Sequence, residues 1–448
     1  MNLSDSERVS SVLEKSGYEW TDHEEEAGLI GILACSVRQK AIDKVYSRIH
    51  KWQQWKSRKN LITFISGCLL PNDHERLMKL FDITFQMKDL PKLPEMISQY
   101  GITTPVHLKS GIDPHNENIE EFWNVKPSYK SEFEAFIPIQ NGCDKFCTFC
   151  AVPYTRGREV SRPSADILSE VEALVNKGYK SVTLLGQNVN SYGLDKNGEE
   201  IGFAELLKEI GELGNRIGKE FWVYFTSPHP RDMNDEVIET IARYRVLAKQ
   251  IHLPMQSGDD KVLMRMNRKH NMEKYRHIVQ SIRKLLPEAT LFTDIIVGFT
   301  GETEAQFENT RKAMEEFKFN MSYTAIYSPR PGAVSHRWED DIPTEEKKRR
   351  LHVLTEELRK HNLENNHRYY GKTMRVLVRG TDRKEGYLSA HTEGRLIVRF
   401  PSDDEGLIGQ FTNVTINSVS DFSMEGELPM STQAENRVIV NQVVPVPG

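Results

Sequence analysis

The sequence predicts an α/β protein of three parts: an N-terminal parallel α/β domain, a central partial (β/α)6 barrel and a small C-terminal antiparallel β-barrel. Two observations carry this prediction. Short apolar segments alternate with amphipathic helical segments through most of the chain, which is typical of parallel sheets. After residue 368 the segments become β-rich, short and separated by glycine, which is typical of a small barrel.

The composition is that of a folded protein. The chain has 448 residues, 38% of them hydrophobic and 27% charged, which suffices for two or three domains with their own cores. No apolar run approaches the roughly 18 to 20 residues that span a bilayer, so we expect a cytoplasmic protein that does not enter a membrane. The formal net charge is −5, so a nucleic-acid partner requires a local basic surface.

The first domain is predicted over residues 1–111, where helices and strands alternate. The predicted elements are helices at 4–16, 37–55 and 95–100 and strands at 29–34, 61–66 and 81–85. Cys35 and Cys68 follow the first two strands. Ligands gather at the carboxyl ends of parallel strands, so these two thiols are expected to face one site. Residues 111–128 are polar and turn-rich, and we interpret them as a linker.

The second domain is predicted over residues 129–365, from six repeats of strand followed by helix. The predicted strands are 133–139, 181–186, 221–227, 250–255, 291–298 and 321–327. Six units indicate an open or incomplete barrel rather than the full eight, with function at the carboxyl ends of the strands. A charged helix at 344–368 leads into the third domain, predicted over 368–430, and the residues beyond are expected to form a frayed tail.

Three of the five cysteines stand together in "GCDKFCTFC", just beyond the first barrel strand. Cys143, Cys147 and Cys150 have the spacing C-x3-C-x2-C, which can hold three corners of a [4Fe–4S] cluster and leave one iron open. A structural zinc normally takes four protein ligands. The low and odd number of cysteines, five in the chain, also argues against a disulfide framework. Zinc with a distant fourth ligand and unrelated buried thiols are the alternatives.

The wider sequence resembles the radical S-adenosylmethionine methylthiotransferases. The similar segments are "GCDKFCTFCAVPYTRGREVSRP", "LLGQNVNSYG", "FTSPHP", "HLPMQSGDD", "TDIIVGFTGET" and "YSPRPG". The resemblance implies that S-adenosylmethionine chelates the open iron of the first cluster. It also implies a second [4Fe–4S] cluster on three cysteines of the first domain, and a TRAM domain that binds RNA at the end of the chain.

The sequence contains two of the three cysteine ligands that the resemblance implies for the second cluster. Cys35 in "ACSVRQKA" and Cys68 in "SGCLL" match the second and third ligands that the resemblance implies. The first ligand belongs to a Cys-x-Met-Asn pattern, and the chain begins at Met1 and Asn2. We expect a truncated or misassigned start, with genuine loss of the ligand as the alternative. Two thiolates alone would hold a cluster poorly.

Within the family, "AVPYTRGREVSRP" resembles the branch that acts on isopentenylated adenosine. The resemblance implies methylthiolation of C2 of N(6)-isopentenyladenosine beside the anticodon of tRNA, with an electron donor protein and a sulfur donor as partners. The alternatives are the branches that modify threonylcarbamoyladenosine in tRNA or a ribosomal protein. Two further alternatives are a truncated form that cleaves S-adenosylmethionine without sulfur transfer and a non-catalytic RNA-binding iron–sulfur protein.

The remaining candidates lie near the cluster loop or at strand ends. The resemblance places an aromatic residue beside the cofactor, and polar side chains and glycine at strand ends can bind its methionine, ribose and adenine parts. Loop packing and capping are the alternatives. The candidate cofactor-binding residues are Phe146, Gln187, Asn188, Ser227, Gln256, Ser257 and Gly298. Arginine can pair with phosphates or stack on bases, or simply be solvated. The candidate RNA-binding residues are Arg156, Arg158, Arg162 and Arg330.

Overall fold

The computed structural model describes residues 1–35, 39–99 and 119–429. The chain divides into two compact units, Met1–Leu358 and Arg359–Gly448. The α-helices are α1 (Asn2–Lys15), α2 (Gln39–Lys56), α3 (Pro71–Leu77), α4 (Leu93–Gln99), α5 (Ile119–Asn124), α6 (Val152–Arg156), α7 (Ser164–Asn176), α8 (Phe203–Ile217), α9 (Asp235–Arg243), α10 (Asp260–Arg265), α11 (Met272–Leu285), α12 (Glu304–Phe317) and α13 (Thr344–His367).

The strands form five groups, of which three build the first unit's main sheets. They are β1 (Leu29–Cys35), β2 (Ile62–Cys68), β3 (Ile83–Thr84), β4 (Glu134–Pro138), β5 (Gln140–Asn141), β6 (Val160–Ser161), β7 (Ser181–Leu185), β8 (Trp222–Phe225), β9 (Gln250–His252), β10 (Thr290–Val297), β11 (Met321–Ile326), β12 (Thr373–Thr381), β13 (Tyr387–Thr392), β14 (Ile397–Pro401), β15 (Phe411–Val419) and β16 (Met424–Glu427).

The first sheet is parallel, in the order β1-β2-β3. Successive residues of β2 point to opposite faces, so Phe64 joins a core with α1 while Ile65 joins a second core with α2. Trp52 of α2 is almost fully buried in that second core. The register pairs Cys35 with Cys68 at the carboxyl ends of β1 and β2. The predicted parallel α/β layer is thus confirmed, with the two thiols on neighbouring strand ends.

The predicted linker is wrong over residues 119–124, whereas residues 125–128 contain neither helix nor strand. Residues 119–124 form helix α5, and Ile119, Phe122 and Trp123 are buried in the core that α1 also lines. The Arg8 guanidinium of α1 lies 5.4 Å from the centre of the Phe122 ring. The spacing of three and four residues between these apolar side chains is that of one helical face, which outweighs the polar composition of the segment. The rest of the predicted linker, 111–118, lies outside the described residues.

The central domain contains six parallel barrel strands, all at the predicted positions. They form two sheets, β4-β7-β8 and β9-β10-β11. The sheets meet where Val223 pairs with the segment before β9: its N–H donates to the Val246 carbonyl at 2.7 Å, and its carbonyl accepts from Ala248 N–H at 2.9 Å. Amphipathic helices alternate with the strands, and in α7 the side chains Ile167 and Val171 are fully buried. The predicted partial barrel is confirmed.

A short antiparallel pair, β5 with β6, was not predicted. Gln140 pairs with Ser161 and Asn141 with Val160. The two strands fasten both ends of the loop that carries Cys143, Cys147 and Cys150. We call residues 142–159 the cluster loop. Its closure positions the three cysteines beyond the carboxyl end of β4.

The second unit contains a closed five-stranded barrel in the order β12-β13-β14-β16-β15. Its core is filled by inward side chains at alternating positions, among them Val376, Val398, Phe400 and Val414, all with no exposed surface. This confirms the predicted small barrel. Across the described residues, none of the helices combines the length and the apolar character that crossing a membrane demands.

Candidate functional site

The cluster loop begins at a glycine that no other residue could replace without rearrangement. Gly142 has φ +83, and a Cβ there would lie 1.9 Å from the carbonyl oxygen of Arg158. Its N–H donates to Oε1 of Gln187 at 2.6 Å, and the next N–H, of Cys143, donates to the Gly157 carbonyl at 3.1 Å. The start and the end of the loop therefore lie against each other, with Gln187 at the end of β7 holding the turn.

The three loop cysteines are free thiols, with Cys143 and Cys147 buried and Cys150 half-buried. An Nη1 of Arg268 donates to Sγ of Cys147 at 3.4 Å. Desolvation raises the pKa of Cys143 and of Cys150 to about 12, and the neighbouring thiols act in the same direction. The thiols therefore lie close enough to feel one another's charge. Binding to iron would have to remove their protons.

The three thiols fit a cluster better than a single ion. In the ranges that the structure describes, no three Cys, His, Asp or Glu side chains are placed to hold one metal ion. Cysteines that ligate a [4Fe–4S] cluster need not converge on one point, because each thiolate binds a different iron. Three interacting thiols on one loop therefore fit the predicted cluster.

A buried ion pair anchors the middle of the loop. Lys145 Nζ lies 2.8 Å from an oxygen of Asp232, and both side chains are about nine-tenths buried or more. The same oxygen accepts from Asn188 at 3.3 Å. Glu159, at the end of the loop, accepts from the Asp144 N–H at 3.2 Å. Burial raises the pKa of Glu159, and Lys145 opposes this shift.

Four residues of this network were not predicted: Lys145, Glu159, Asp232 and Arg268. Lys145 and Glu159 belong to segments that the sequence already indicated, but the loop holds other charged residues and nothing local singles these two out. Asp232 and Arg268 follow β8 and β9 at a distance in sequence, so only the fold brings them to the loop.

Two predicted cofactor ligands have unsatisfied polar atoms beside the loop. Nε2 of Gln187 and Oδ1 of Asn188 are buried without a hydrogen-bond partner among the described residues. Such atoms are costly unless a ligand or water satisfies them. A polar cofactor bound at the end of β7 would do so, which fits the predicted use of S-adenosylmethionine.

Backbone strain marks the same ends of the strands. Phe146, Ser227 and Gln256 are non-glycine residues with φ of 48, 59 and 70. Residues in this left-handed region cost free energy and concentrate at functional sites. Gly298 has φ +69, and its N–H donates to Glu302 at 2.7 Å. Each of these four predicted residues therefore has a left-handed backbone conformation.

Ser257 differs from its prediction. Its side chain is fully buried, its hydroxyl lies 3.3 Å from the hydroxyl of Thr310 in α12, and it accepts from the Asp259 N–H at 3.3 Å. These contacts hold the turn after β9 against α12. We therefore assign Ser257 to the packing of that turn rather than to cofactor binding.

Arg156 also differs from its predicted contact with RNA, because it is buried. Its guanidinium donates to Oδ2 of Asp5 at 2.7 Å, to Sγ of Cys68 at 2.9 Å and to Oδ1 of Asn141 at 3.3 Å. The side chain therefore joins α1 and the end of β2 to the start of the cluster loop. Burial raises the pKa of the Cys68 thiol, and the guanidinium opposes this shift.

The other predicted arginines divide between interior and surface. Arg162 is buried and forms an ion pair with Glu170, so it too is turned inward. Arg330 is half-buried, and burial lowers the pKa of its guanidinium while the charges of Asp43 and Asp73 oppose this shift. Arg158 is the exposed member: its side chain is 54% accessible, it donates to Asp144 at 2.6 Å, and it lies 5.5 Å from the centre of the Phe146 ring.

Known protein families match each part of the chain. Residues 137–314 match the radical SAM superfamily, residues 1–87 match uncharacterized protein family UPF0004, and residues 367–428 match the TRAM domain. Among solved structures, a radical S-adenosylmethionine methyltransferase, TsrM, from Kitasatospora setae aligns with a TM-score of 0.55 at 14% identity. The alignment covers 74% of this chain and 72% of that one, and it supports the fold.

Close relatives span nearly the whole sequence. A protein named tRNA-2-methylthio-N(6)-dimethylallyladenosine synthase from Clostridium botulinum is 39% identical over 95% of this chain and 94% of its own length. Proteins of the same name from Ectopseudomonas mendocina and Yersinia enterocolitica are each 38% identical over 96% of this chain, and the alignments cover 96% and 90% of those proteins. With the barrel, the three-cysteine loop and the C-terminal barrel in place, the chain belongs to the radical S-adenosylmethionine methylthiotransferases, in the family of the tRNA-2-methylthio-N(6)-dimethylallyladenosine synthases.

Proposed function

We propose that this protein adds a methylthio group to C2 of N(6)-isopentenyladenosine next to the anticodon of tRNA. The observation that carries the proposal is the cluster loop: three free thiols, fastened by β5 and β6, lie at the carboxyl end of a six-stranded partial barrel. The name that relatives at 38–39% identity share supports the substrate and the reaction.

Cys143, Cys147 and Cys150 would hold a [4Fe–4S] cluster, with S-adenosylmethionine on the open iron. When bound, the reduced cluster would supply the one electron that cleaves a C–S bond of the S-adenosylmethionine sulfonium, which would give methionine and a carbon radical able to abstract hydrogen from the substrate. The polar groups of Gln187 and Asn188 would satisfy the polar parts of the cofactor. Phe146, which is 38% exposed at the loop tip, would cover it.

The chain's own contribution to the reaction is to hold the loop rigid and dry. Arg268 and the Lys145–Asp232 ion pair fix the loop from the barrel side. Phe149, inside the loop, packs on the buried ring of Phe299 at 6.5 Å between centroids. A reactive radical requires its target close by and water excluded, and such packing provides both.

The sulfur side of the reaction is assigned to the first domain. Cys35 and Cys68 are register partners at the ends of β1 and β2, and Arg156 ties Cys68 to the cluster loop. We propose these thiols as ligands of the auxiliary cluster, which needs at least one further ligand. The proposed partners are the anticodon arm of tRNA, an electron donor protein and a sulfur donor, in the cytoplasm.

The test separates cofactor cleavage from sulfur transfer. Anaerobically reconstituted Cys147→Ala protein should lose its iron signature and produce no 5′-deoxyadenosine from S-adenosylmethionine under a strong reductant. Cys35→Ser is the matched control: it should keep cofactor cleavage and lose methylthiolation. Undiminished 5′-deoxyadenosine from Cys147→Ala would overturn the assignment of the loop.

A further inference from the structure

Three polar and aromatic side chains meet on neighbouring strands of the second barrel sheet, next to the predicted cofactor ligand Gln256, whose N–H donates to the Asp294 carbonyl at 2.8 Å. His252 ends β9, Asp294 lies within β10 and Tyr323 lies within β11. Nε2 of His252 is 3.0 Å from Oδ2 of Asp294. The His252 and Tyr323 rings meet over β10, with their centroids 5.7 Å apart.

This group faces the same side of the sheet as the cluster loop. Asp294 and Tyr323 are register partners, and paired residues of parallel strands share a face. Ile296, two residues after Asp294 and so on the same face, packs in one apolar group with Phe149 of the cluster loop. Two residues along a strand span about 7 Å. The Asp294 side chain therefore lies about 7 Å along the strand from the contact between the sheet and the cluster loop.

The opposite face of the same strands is closed by a helix. Thr293, next to Asp294, is fully buried, and its hydroxyl donates to the Leu253 carbonyl at 3.0 Å. Tyr275 of α11 donates to the same carbonyl at 2.8 Å. The face with Asp294 remains accessible: the carboxylate side chain is 35% exposed and Tyr323 is 54% exposed. A partly exposed aromatic ring and a partly exposed carboxylate thus lie on the face of the sheet that the cluster loop contacts.

We propose that Tyr323 and Asp294 bind the adenine base of the target nucleotide, with His252 as the residue that positions Asp294. This inference rests on the proposed function. An enzyme that acts on a base takes the base out of its stack and reads its edge by hydrogen bonds. The Tyr323 ring offers a stacking surface, and stacking on an aromatic ring is tolerant of the base's substituents.

The Asp294 carboxylate adds selectivity. Nε2 of His252 lies 3.0 Å from one carboxylate oxygen, and a carboxylate can accept several hydrogen bonds from a ligand. N(6)-isopentenyladenosine retains one N–H at its 6-position, which Asp294 can accept. A purine with a carbonyl oxygen at that position would present an acceptor to a carboxylate, and a site that accepts an N–H of its substrate discriminates against such a mismatch.

Binding of two RNA probes tests the proposal without catalysis. The first probe is an anticodon stem-loop with N(6)-isopentenyladenosine at the target position, and the second is the same stem-loop with an abasic site there. The reconstituted wild type should bind the first about tenfold or more tightly than the second, as one stacked base contributes. Tyr323→Leu should abolish this preference, Tyr323→Phe should retain most of it, and Asp294→Ala should reduce it severalfold.

Two controls distinguish binding of the target base from binding of the adenine of S-adenosylmethionine. Tyr18→Leu changes a tyrosine of similar type, 38% exposed and in the first domain, and should leave the preference intact. Binding of S-adenosylmethionine, measured by equilibrium dialysis, should change less than twofold in Tyr323→Leu. An unchanged preference for the base in both Tyr323→Leu and Asp294→Ala would overturn the proposal. A tenfold loss of S-adenosylmethionine binding with the preference intact would overturn it as well, because the site would then hold the cofactor's adenine. Whether the wild type methylthiolates the first probe is read separately and tests the proposed function alone.

Discussion

At the scale of the residue, Arg156 and Arg158 stand two positions apart and have opposite environments. Arg156 is buried with Asp5, whose other carboxylate oxygen has no partner in the described part of the chain, whereas the Arg158 side chain is 54% exposed. Removing one partner of a buried pair typically costs about 3–5 kcal/mol, because the remaining charge is left uncompensated. An exposed pair contributes about 0–1 kcal/mol.

We therefore predict that Arg156→Ala lowers the unfolding midpoint of the first unit by several degrees and Arg158→Ala leaves it nearly unchanged. Calorimetry of the two variants beside the wild type measures the difference. Equal midpoints for both variants would show that the Arg156 bridge does not stabilise the domain.

Arg158 is the predicted RNA ligand that remains at the surface. If its guanidinium binds a tRNA phosphate, Arg158→Ala should weaken binding and reduce the slope of log affinity against log salt by about one. Arg216→Ala is the control, since that side chain on α8 is also exposed, at 66%. A slope that changes equally in both variants, or in neither, would return Arg158 to an ordinary surface role.

The burial of Arg156 could not be read from the sequence. Arg156, Arg158 and Arg162 share one short basic segment, and nothing local distinguishes them. The difference comes from Asp5, which is 151 residues away from Arg156. The cysteine spacing, by contrast, is local, and therefore the three cysteines of the cluster loop were predictable, while the closing strands β5 and β6 and the anchors Asp232 and Arg268 were not.

At the scale of the element, the cluster loop depends on Gly142. A Cβ at this position would strike the backbone of Arg158, which cannot move without opening β5 and β6. Gly178, after α7, has a comparable φ of +103, but a Cβ there meets nothing within 4 Å.

We predict that Gly142→Ala fails to retain iron at the cluster loop, whereas Gly178→Ala retains it and loses only about 1 kcal/mol of stability to backbone strain. Iron analysis after anaerobic reconstitution distinguishes them. The cluster loop contributes about four iron atoms per chain when intact. Full iron retention by Gly142→Ala would show that the closed loop is not required.

The elements themselves were largely predictable. The six barrel strands are apolar runs of strand length separated by amphipathic helices, and in β7 and β8 that pattern is clearest because both faces of the strands are buried. Three elements were missed for physical reasons. Strands β5 and β6 have two residues each, too few for any periodicity, and α5 has only three apolar residues within a polar segment.

At the scale of the whole molecule, the first unit holds both cysteine sites. Arg156 of the cluster loop donates a hydrogen bond to Sγ of Cys68. The sheet face that carries Tyr323 and Asp294 is the face that the same loop contacts. We propose that these parts together convert one modified adenosine in tRNA to its 2-methylthio derivative.

The most direct test is mass spectrometry of nucleosides from tRNA that carries N(6)-isopentenyladenosine, after incubation with the reconstituted protein, S-adenosylmethionine, a reductant and a sulfur source. With a further ligand completing the auxiliary cluster on Cys35 and Cys68, the account predicts a methylthio group at C2 of that nucleoside with the wild type and none with Cys147→Ala. Cleavage of S-adenosylmethionine without any methylthiolated nucleoside, or methylthiolation of threonylcarbamoyladenosine or a ribosomal protein instead, would contradict it.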